Sequence, residues 1–221
     1  MLAFCELAST VKGSVLDALA EEILMACQNA LELEVDQDRA AIVNYNQGVI
    51  LQHMGRHEEA LEPLRRALVM RPEYADALSS LGSALLVMGL EEAAHGRLEN
   101  AQGFFQEAAQ HFDRAISIAP GLPDAYYGLG LALWKLGRHE DAVDAYREDV
   151  RLNPEDDYKL VQFAQTLNKV GQHSEAVAVF EQAQRANPEE FVRYPYASEV
   201  LEASRRGERW EGWEEAAQSV P

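Results

Sequence analysis

The sequence contains many acidic and histidine side chains, but none of them forms a recognisable catalytic or metal-binding motif. There are 37 acidic residues and six histidines, yet no phosphate-binding glycine loop, serine-nucleophile motif or paired-histidine zinc motif occurs. His57, His139 and His173 each follow a glycine turn in the same local pattern, which separates them along the chain. Cys5 and Cys27 have no nearby partner, which favours free thiols. We therefore expect no enzyme activity, no metal and no cofactor.

The composition favours helices and restricts the classes of partner. The 221 residues carry a net charge of −18, and 48% of them are hydrophobic, with Ala and Leu dominant. This charge repels phosphate backbones and anionic lipid surfaces, so we expect neither nucleic acid nor membrane as a partner. No stretch approaches 18 consecutive apolar residues, and no basic segment marks a signal peptide, so the expected location is the cytoplasm.

A pattern of about 34 residues recurs four times. The segments are 41–74, 75–122, 123–156 and 157–190, and their closing prolines are Pro72, Pro120, Pro154 and Pro188. Three segments share a turn that runs from glycine to a histidine and then an alanine, as in Gly137–Ala142. A glycine there ends a first helix in the left-handed conformation, and the closing proline ends a second helix. The repeat predicts four helical pairs.

The repeated positions resemble those of the tetratricopeptide repeat (TPR) family. Large apolar residues stand at repeat positions 4, 7 and 11, small residues at 8 and 20, a large residue at 24 and proline at 32. In the third segment these are Tyr126, Leu129, Leu133, Gly130, Ala142, Tyr146 and Pro154. Asn44, Gln47 and Asp149 depart from the pattern.

The resemblance implies an all-α fold, a right-handed α-solenoid of stacked helix-turn-helix repeats with helical caps. We expect residues 41–190 to form the four repeats and residues 191–221 to form C-terminal capping helices. Residues 1–40 are expected to form N-terminal capping helices or a degenerate fifth repeat. We expect an apolar face on the N-terminal cap, made by Val15, Leu16, Leu19, Ile23, Leu24 and Ala26.

The second repeat contains 14 additional residues. Divided between its two helices they add about two turns to each, which keeps both apolar stripes in phase. We therefore predict a longer hairpin whose tip lies near His95–Arg97, with Gly89 and Gly103 as alternative turn positions. This tip is either a contact site or an inert extension.

By analogy with the family, a partner is expected in a groove formed by the first helix of each repeat. The predicted groove residues are Tyr45, Asn46, Val49, His53, Ser80, Ser83, Tyr127, Leu131, Trp134, Gln162, Gln165 and Asn168. One branch of the family binds terminal carboxylates through a basic and amide clamp. Here Tyr45, Val49, Asp124 and Gly128 occupy the clamp positions, so acidic tails are not expected.

The predicted function is that of a non-catalytic adaptor or scaffold in assembly, chaperoning or trafficking. It would bind a protein or peptide with a basic or apolar segment, and no small-molecule substrate is expected. Alternatively, the groove tyrosines only fill space within the superhelix, and the chain is a structural subunit that uses its caps and the hairpin. Trp210 and Trp213, predicted one helical turn apart, either cover the last repeat or dock a partner.

Overall fold

The computed structural model describes residues 13–32, 36–122, 124–191, 193–194 and 196–212. Within these ranges every regular element is a helix, turns and short irregular segments join the helices, and no strand occurs. The helices are α1 Gly13–Glu32, α2 Gln37–His53, α3 His57–Met70, α4 Ala75–Ala94, α5 Leu98–Ile118, α6 Ala125–Lys135, α7 His139–Leu152, α8 Asp157–Lys169, α9 His173–Ala186, α10 Pro188–Phe191 and α11 Ala197–Arg205.

The helices stack as antiparallel pairs along one axis. The pairs α2/α3, α4/α5, α6/α7 and α8/α9 correspond to the four sequence repeats, and each second helix also packs against the first helix of the next pair. Because each pair buries its outer apolar face only against a neighbour, the stack forms one continuous solenoid core. The all-α solenoid predicted from the repeat is therefore confirmed.

Glycine turns join the two helices of every pair. Gly55, Gly96, Gly137 and Gly171 have φ between 72° and 85°, a region that other residues adopt only at a steric cost. In the first turn the N–H of Arg56 donates to the carbonyl of Leu51 at 2.9 Å, which caps the end of α2. The predicted left-handed caps are present at all four turns.

Close contact between paired helices explains the small residues at position 8. A methyl group on Gly48 would lie 2.5 Å from Leu64 Cγ, and one on Gly130 would lie 2.7 Å from Tyr146 Cε1. Leu64 and Tyr146, both at position 24, are completely or almost completely buried. Glycine therefore lets the large residue of the second helix pack directly on the backbone of the first.

The second pair is longer than the other pairs. Helices α4 and α5 have 20 and 21 residues, compared with 13 and 14 in α8 and α9, so each gains seven. The turn lies at His95–Arg97, the position that the sequence predicts. At the tip, Arg97 and Asn100 both donate to the carboxylate of Glu92.

At the N-terminal end, α1 packs against α2 and extends the stack by one helix. Leu24 is buried as expected, and Ile23 is half-buried, but Leu19 and Ala26 are exposed, so the predicted apolar face is only partly correct. The contact surface runs instead through Ala20 and Leu24, one turn apart on α1. The side chains of Val15 and Leu16 lie outside the described residues.

At the C-terminal end, α11 packs against α8 and α9 through buried Val200 and Leu201. The predicted helix around Trp210 is wrong, because α11 ends at Arg205 and Gly207 adopts a φ of 71°. Glu208 to Trp210 continue without helical structure. Trp213 lies outside the described residues.

Candidate partner-binding groove

A cavity of about 490 Å³ opens between the first helices of repeats 1 and 2. It receives side chains from α2, from α4 and from the connection between α5 and α6. The lining residues are Tyr45, Val49, Gln52, His53, Asp76, Ser79, Ser80, Ser83, Leu122 and Asp124. Five of the predicted groove residues therefore come together here: Tyr45, Val49, His53, Ser80 and Ser83.

Hydrogen bonds and aromatic contacts fix the walls of this cavity. Gln52 Nε2 donates to the Ser80 carbonyl at 2.9 Å, and the Ser83 hydroxyl donates to the Ser79 carbonyl at 3.1 Å. The rings of Tyr45 and Tyr74 lie 5.0 Å apart. The Tyr74 ring packs against the half-buried Tyr45 ring, and the hydrogen bonds fix Gln52 and Ser83, so a ligand meets a preformed surface.

The charge lining this cavity is negative. Asp76 and Asp124 contribute carboxylates, and no Lys or Arg is among the lining residues in the described part of the chain. Burial raises the pKa of Tyr45, and the Asp76 carboxylate raises it further because two adjacent anions repel. This negative charge agrees with the predicted absence of a carboxylate clamp.

A row of tyrosines continues the inner face towards repeat 4. The Tyr127 ring lies 5.8 Å from that of Tyr146 and 6.1 Å from that of Tyr158, and Tyr158 lies 5.9 Å from Tyr194. Burial raises the pKa of Tyr127, and the neighbouring tyrosines add to the shift. Tyr127 is therefore largely used in packing between repeats, while Tyr158 remains 47% exposed.

The other predicted residues divide between packing and partial exposure. Leu131 and Trp134 are half-buried against the core, and the Trp134 ring lies 4.4 Å from that of His139. Asn46, Gln162 and Gln165 are also half-buried. None of these side chains lines the cavity.

Asn168 does not lie open in a groove, contrary to the prediction. It is fully buried, and its amide donates to Ser204 Oγ and to the Glu208 carbonyl, both at 2.9 Å. Its Oδ1 accepts the backbone N–H of Trp210 at 2.9 Å. The segment after α11 returns to cover this position, and these three hydrogen bonds form a latch between repeat 4 and that segment.

A buried ion pair occupies the position where the sequence departs from the family pattern. Asp149 is 1% exposed, and its Oδ1 accepts from Lys159 Nζ at 3.2 Å. The same ammonium donates to Asp124 Oδ1 at 2.7 Å. Asp149 Oδ2 has no hydrogen-bond partner. The three residues join repeats 3 and 4, and Asp124 belongs to both this triad and the cavity.

The pKa shifts within the triad differ between the ammonium and the buried carboxylate. Burial raises the pKa of Asp149 and outweighs the opposing effect of Lys159. Burial lowers the pKa of Lys159, but two carboxylates outweigh it and the net shift is upward. The surroundings therefore favour the charged form of Lys159 but not that of Asp149, because Lys159 has two charged partners and one oxygen of Asp149 has no partner.

No group of three potential metal ligands occurs among the described His, Cys, Asp and Glu side chains. His57, His139 and His173 each begin the second helix of a repeat, as their shared sequence position predicts. Each therefore belongs to a different turn of the solenoid.

One described helix, α4, is long and apolar enough by length and composition to cross a membrane. Core helices also meet this criterion. Leu78, Leu81 and Leu85 of α4 are almost fully buried in the stack, so packing accounts for its apolar character.

Stacked helical pairs with glycine turns and an open inner face define the class of helical-repeat solenoids. Two family descriptions, both of the tetratricopeptide repeat, match residues 45–94 and 93–157 and residues 160–190. The chain belongs to the tetratricopeptide repeat family.

Individual proteins are similar to this chain in sequence or in structure. The photosystem I assembly protein Ycf3 of Acaryochloris marina (strain MBIC 11017) is 33% identical over 76 residues, which cover 34% of this chain and 46% of that protein. This chain thus matches less than half the length of that relative. A crystal structure of MamA has 22% identity and a TM-score of 0.62, covering 81% of this chain and 88% of its own. YrrB, described as a TPR protein with an unusual peptide-binding site, has 22% identity and a TM-score of 0.63, covering 88% and 98%.

Proposed function

We propose that this chain is a non-catalytic protein-interaction adaptor that binds a peptide segment of a partner in the cavity between α2 and α4. The observation that carries the proposal is the cavity itself, where apolar and polar side chains from α2 and α4 surround about 490 Å³ of open space. Tyr45, Val49 and Leu122 offer apolar surface, while the serines and Gln52 offer hydrogen-bonding groups. The half-buried Tyr127, Leu131, Trp134 and Gln162 extend this surface along the inner face.

Two of the similar proteins support the proposal by their described roles. YrrB is described as having a peptide-binding site, and Ycf3 is described as an assembly protein. Solenoid proteins in general use an extended inner surface for binding. We place the adaptor in the cytoplasm and in an assembly, chaperoning or trafficking role.

Site-specific photocrosslinking tests the cavity directly. A photoreactive phenylalanine analogue at Ser83 places the probe in the cavity, and the same analogue at Gln110, which is exposed on α5, serves as the matched control. We expect discrete adducts in cell extracts from position 83 and none of the same size from position 110. Identical adduct patterns, or none at position 83, would refute binding in the cavity.

A structural-subunit role is the second candidate, and the long hairpin favours it. Beyond the length of its neighbours the hairpin presents the half-buried Met88, Leu90 and Phe104 and the 65% exposed Leu98. Light scattering of the wild type and of Leu98→Glu tests this role, with Val69→Glu as control because Val69 is 79% exposed on α3. A complex that only Leu98→Glu dissociates supports the role, and a monomeric wild type argues against self-association.

A further inference from the structure

We propose that the cavity is selective for a cation, and that it holds an arginine or lysine side chain of an extended peptide between Asp76 and Asp124. This inference rests on the proposed function, since it specifies which peptides the cavity accepts. It follows from the charges lining the cavity, from the apolar and hydroxyl groups of its walls, and from the absence of a lysine or arginine paired with Asp76 in the described residues.

The two carboxylates remain available to a ligand. Asp76 is exposed, and no Lys or Arg of the described chain lies within ion-pair distance of it. Asp124 contacts Lys159 through Oδ1 only, and its side chain is 77% exposed. Each therefore offers at least one oxygen to an incoming donor, and a charged donor makes the stronger hydrogen bond.

The walls suit a long side chain that ends in a cation. Tyr45, Val49 and Leu122 provide apolar surface for the aliphatic stem, as long charged side chains require. The Ser83 hydroxyl donates to the Ser79 carbonyl, so its own lone pairs remain able to accept. A guanidinium, which has five donors and no acceptor, matches this set of carboxylate and hydroxyl acceptors.

Long-range electrostatics act in the same direction. The chain carries a net charge of −18, and two of its carboxylates line the cavity. Lys159 pairs with Asp124, whereas no lysine or arginine of the described lining lies beside Asp76. A basic segment is therefore attracted before contact, while an acidic one is repelled.

Asp76 also interacts with its own helix, and Asp38 provides a control for this contribution. It is the second residue of α4, where a negative charge interacts favourably with the helix dipole. Asp38 is the second residue of α2 and is also exposed, but it does not line the cavity. Asp38→Asn and Asp76→Asn therefore remove the same charge from equivalent helix positions.

The experiment selects peptides from a random dodecapeptide phage library on the full chain and measures the enriched peptide by fluorescence polarisation. We expect a fixed arginine or lysine, and an affinity about tenfold lower for Asp76→Asn, the loss expected for one charge-assisted hydrogen bond. Asp38→Asn should bind like the wild type. Replacing the peptide's arginine by uncharged citrulline should lower the affinity for the wild type by a similar factor. The citrulline peptide should then bind wild type and Asp76→Asn with equal affinity.

Two outcomes separate the inference from the function on which it rests. Enriched peptides without a fixed cation, or equal losses in Asp38→Asn and Asp76→Asn, would overturn cation selectivity and leave peptide binding intact. If no peptide is enriched relative to Ser83→Trp, a variant with a filled cavity and a wild-type circular dichroism spectrum, then peptide binding fails and cation selectivity fails with it.

Discussion

Replacing Asp149 with alanine restores the residue typical of the family, yet we expect it to destabilise this chain. Asp149 is 1% exposed, and the Lys159 side chain is 10% exposed, so the substitution leaves a largely buried ammonium without its inner partner. Removing one member of a buried ion pair costs about 3–5 kcal/mol. We expect about 3 kcal/mol, the lower end of this range, because Asp124 still contacts Lys159.

The same reasoning predicts that a second substitution restores stability. Lys159→Met retains an apolar stem of similar length, and the double variant Asp149→Ala/Lys159→Met contains no buried charge at this interface. Its free energy of unfolding should lie within about 1 kcal/mol of the wild type, since apolar replacement of a buried pair is often neutral. The loss of Lys159 costs Asp124 little because that carboxylate is exposed.

Urea denaturation of the four proteins, followed by circular dichroism at pH 7, measures this cycle. Asp141→Ala is the control, because its ion pair with Arg138 is exposed and should contribute less than about 1 kcal/mol. Hydrogen exchange should show that Asp149→Ala loosens α7 and α8 specifically. The reasoning is refuted if Asp149→Ala costs no more than Asp141→Ala, or if the double variant is as unstable as the single one.

Four further substitutions test other parts of the fold. Hydrogen bonding from its arginine partner lowers the pKa of Glu92 to about 2. In urea denaturation, the wild type should therefore be more stable than Glu92→Gln above pH 4.5, and this advantage should be lost as the pH falls through 2. Gly128→Ala should cost about 1–3 kcal/mol because the methyl collides with Phe112, whereas Gly103→Ala, with open space around it, should gain up to about 1 kcal/mol in thermal denaturation. Asn168→Ala should cost about 1–3 kcal/mol and accelerate amide exchange in the segment after α11; unchanged exchange there would contradict the latch.

Features that depend on nearby residues could be predicted from the sequence. The turns can be predicted because a glycine such as Gly137 and the residues around it determine a left-handed cap locally. The longer hairpin can be predicted because its apolar stripe continues in phase through the additional residues. Each of these predictions requires only the geometry of one helix or one helical pair.

Features that depend on distant contacts could not be predicted in the same way. The amide of Asn168 is used by residues 36 to 42 positions later in the chain, and the analogy with the family's repeat positions, which places Asn168 in the groove, contains no information about them. The family pattern marks Asp149 as a departure, but it does not identify the residue that pairs with Asp149. A buried acid requires a counter-ion, and that requirement could have pointed to Lys159, ten residues further on.

The position of the cavity also limits the length of a ligand. The cavity begins at α2, crosses α4 and ends at Leu122 and Asp124 in the connection before α6, so it extends from the first helix of repeat 1 to the start of repeat 3. With neighbouring axes about 10 Å apart, this distance is about 20 Å, or about six residues of extended peptide. A partner therefore needs only one short linear segment to cross it, and such a segment can lie within an otherwise unstructured tail or loop.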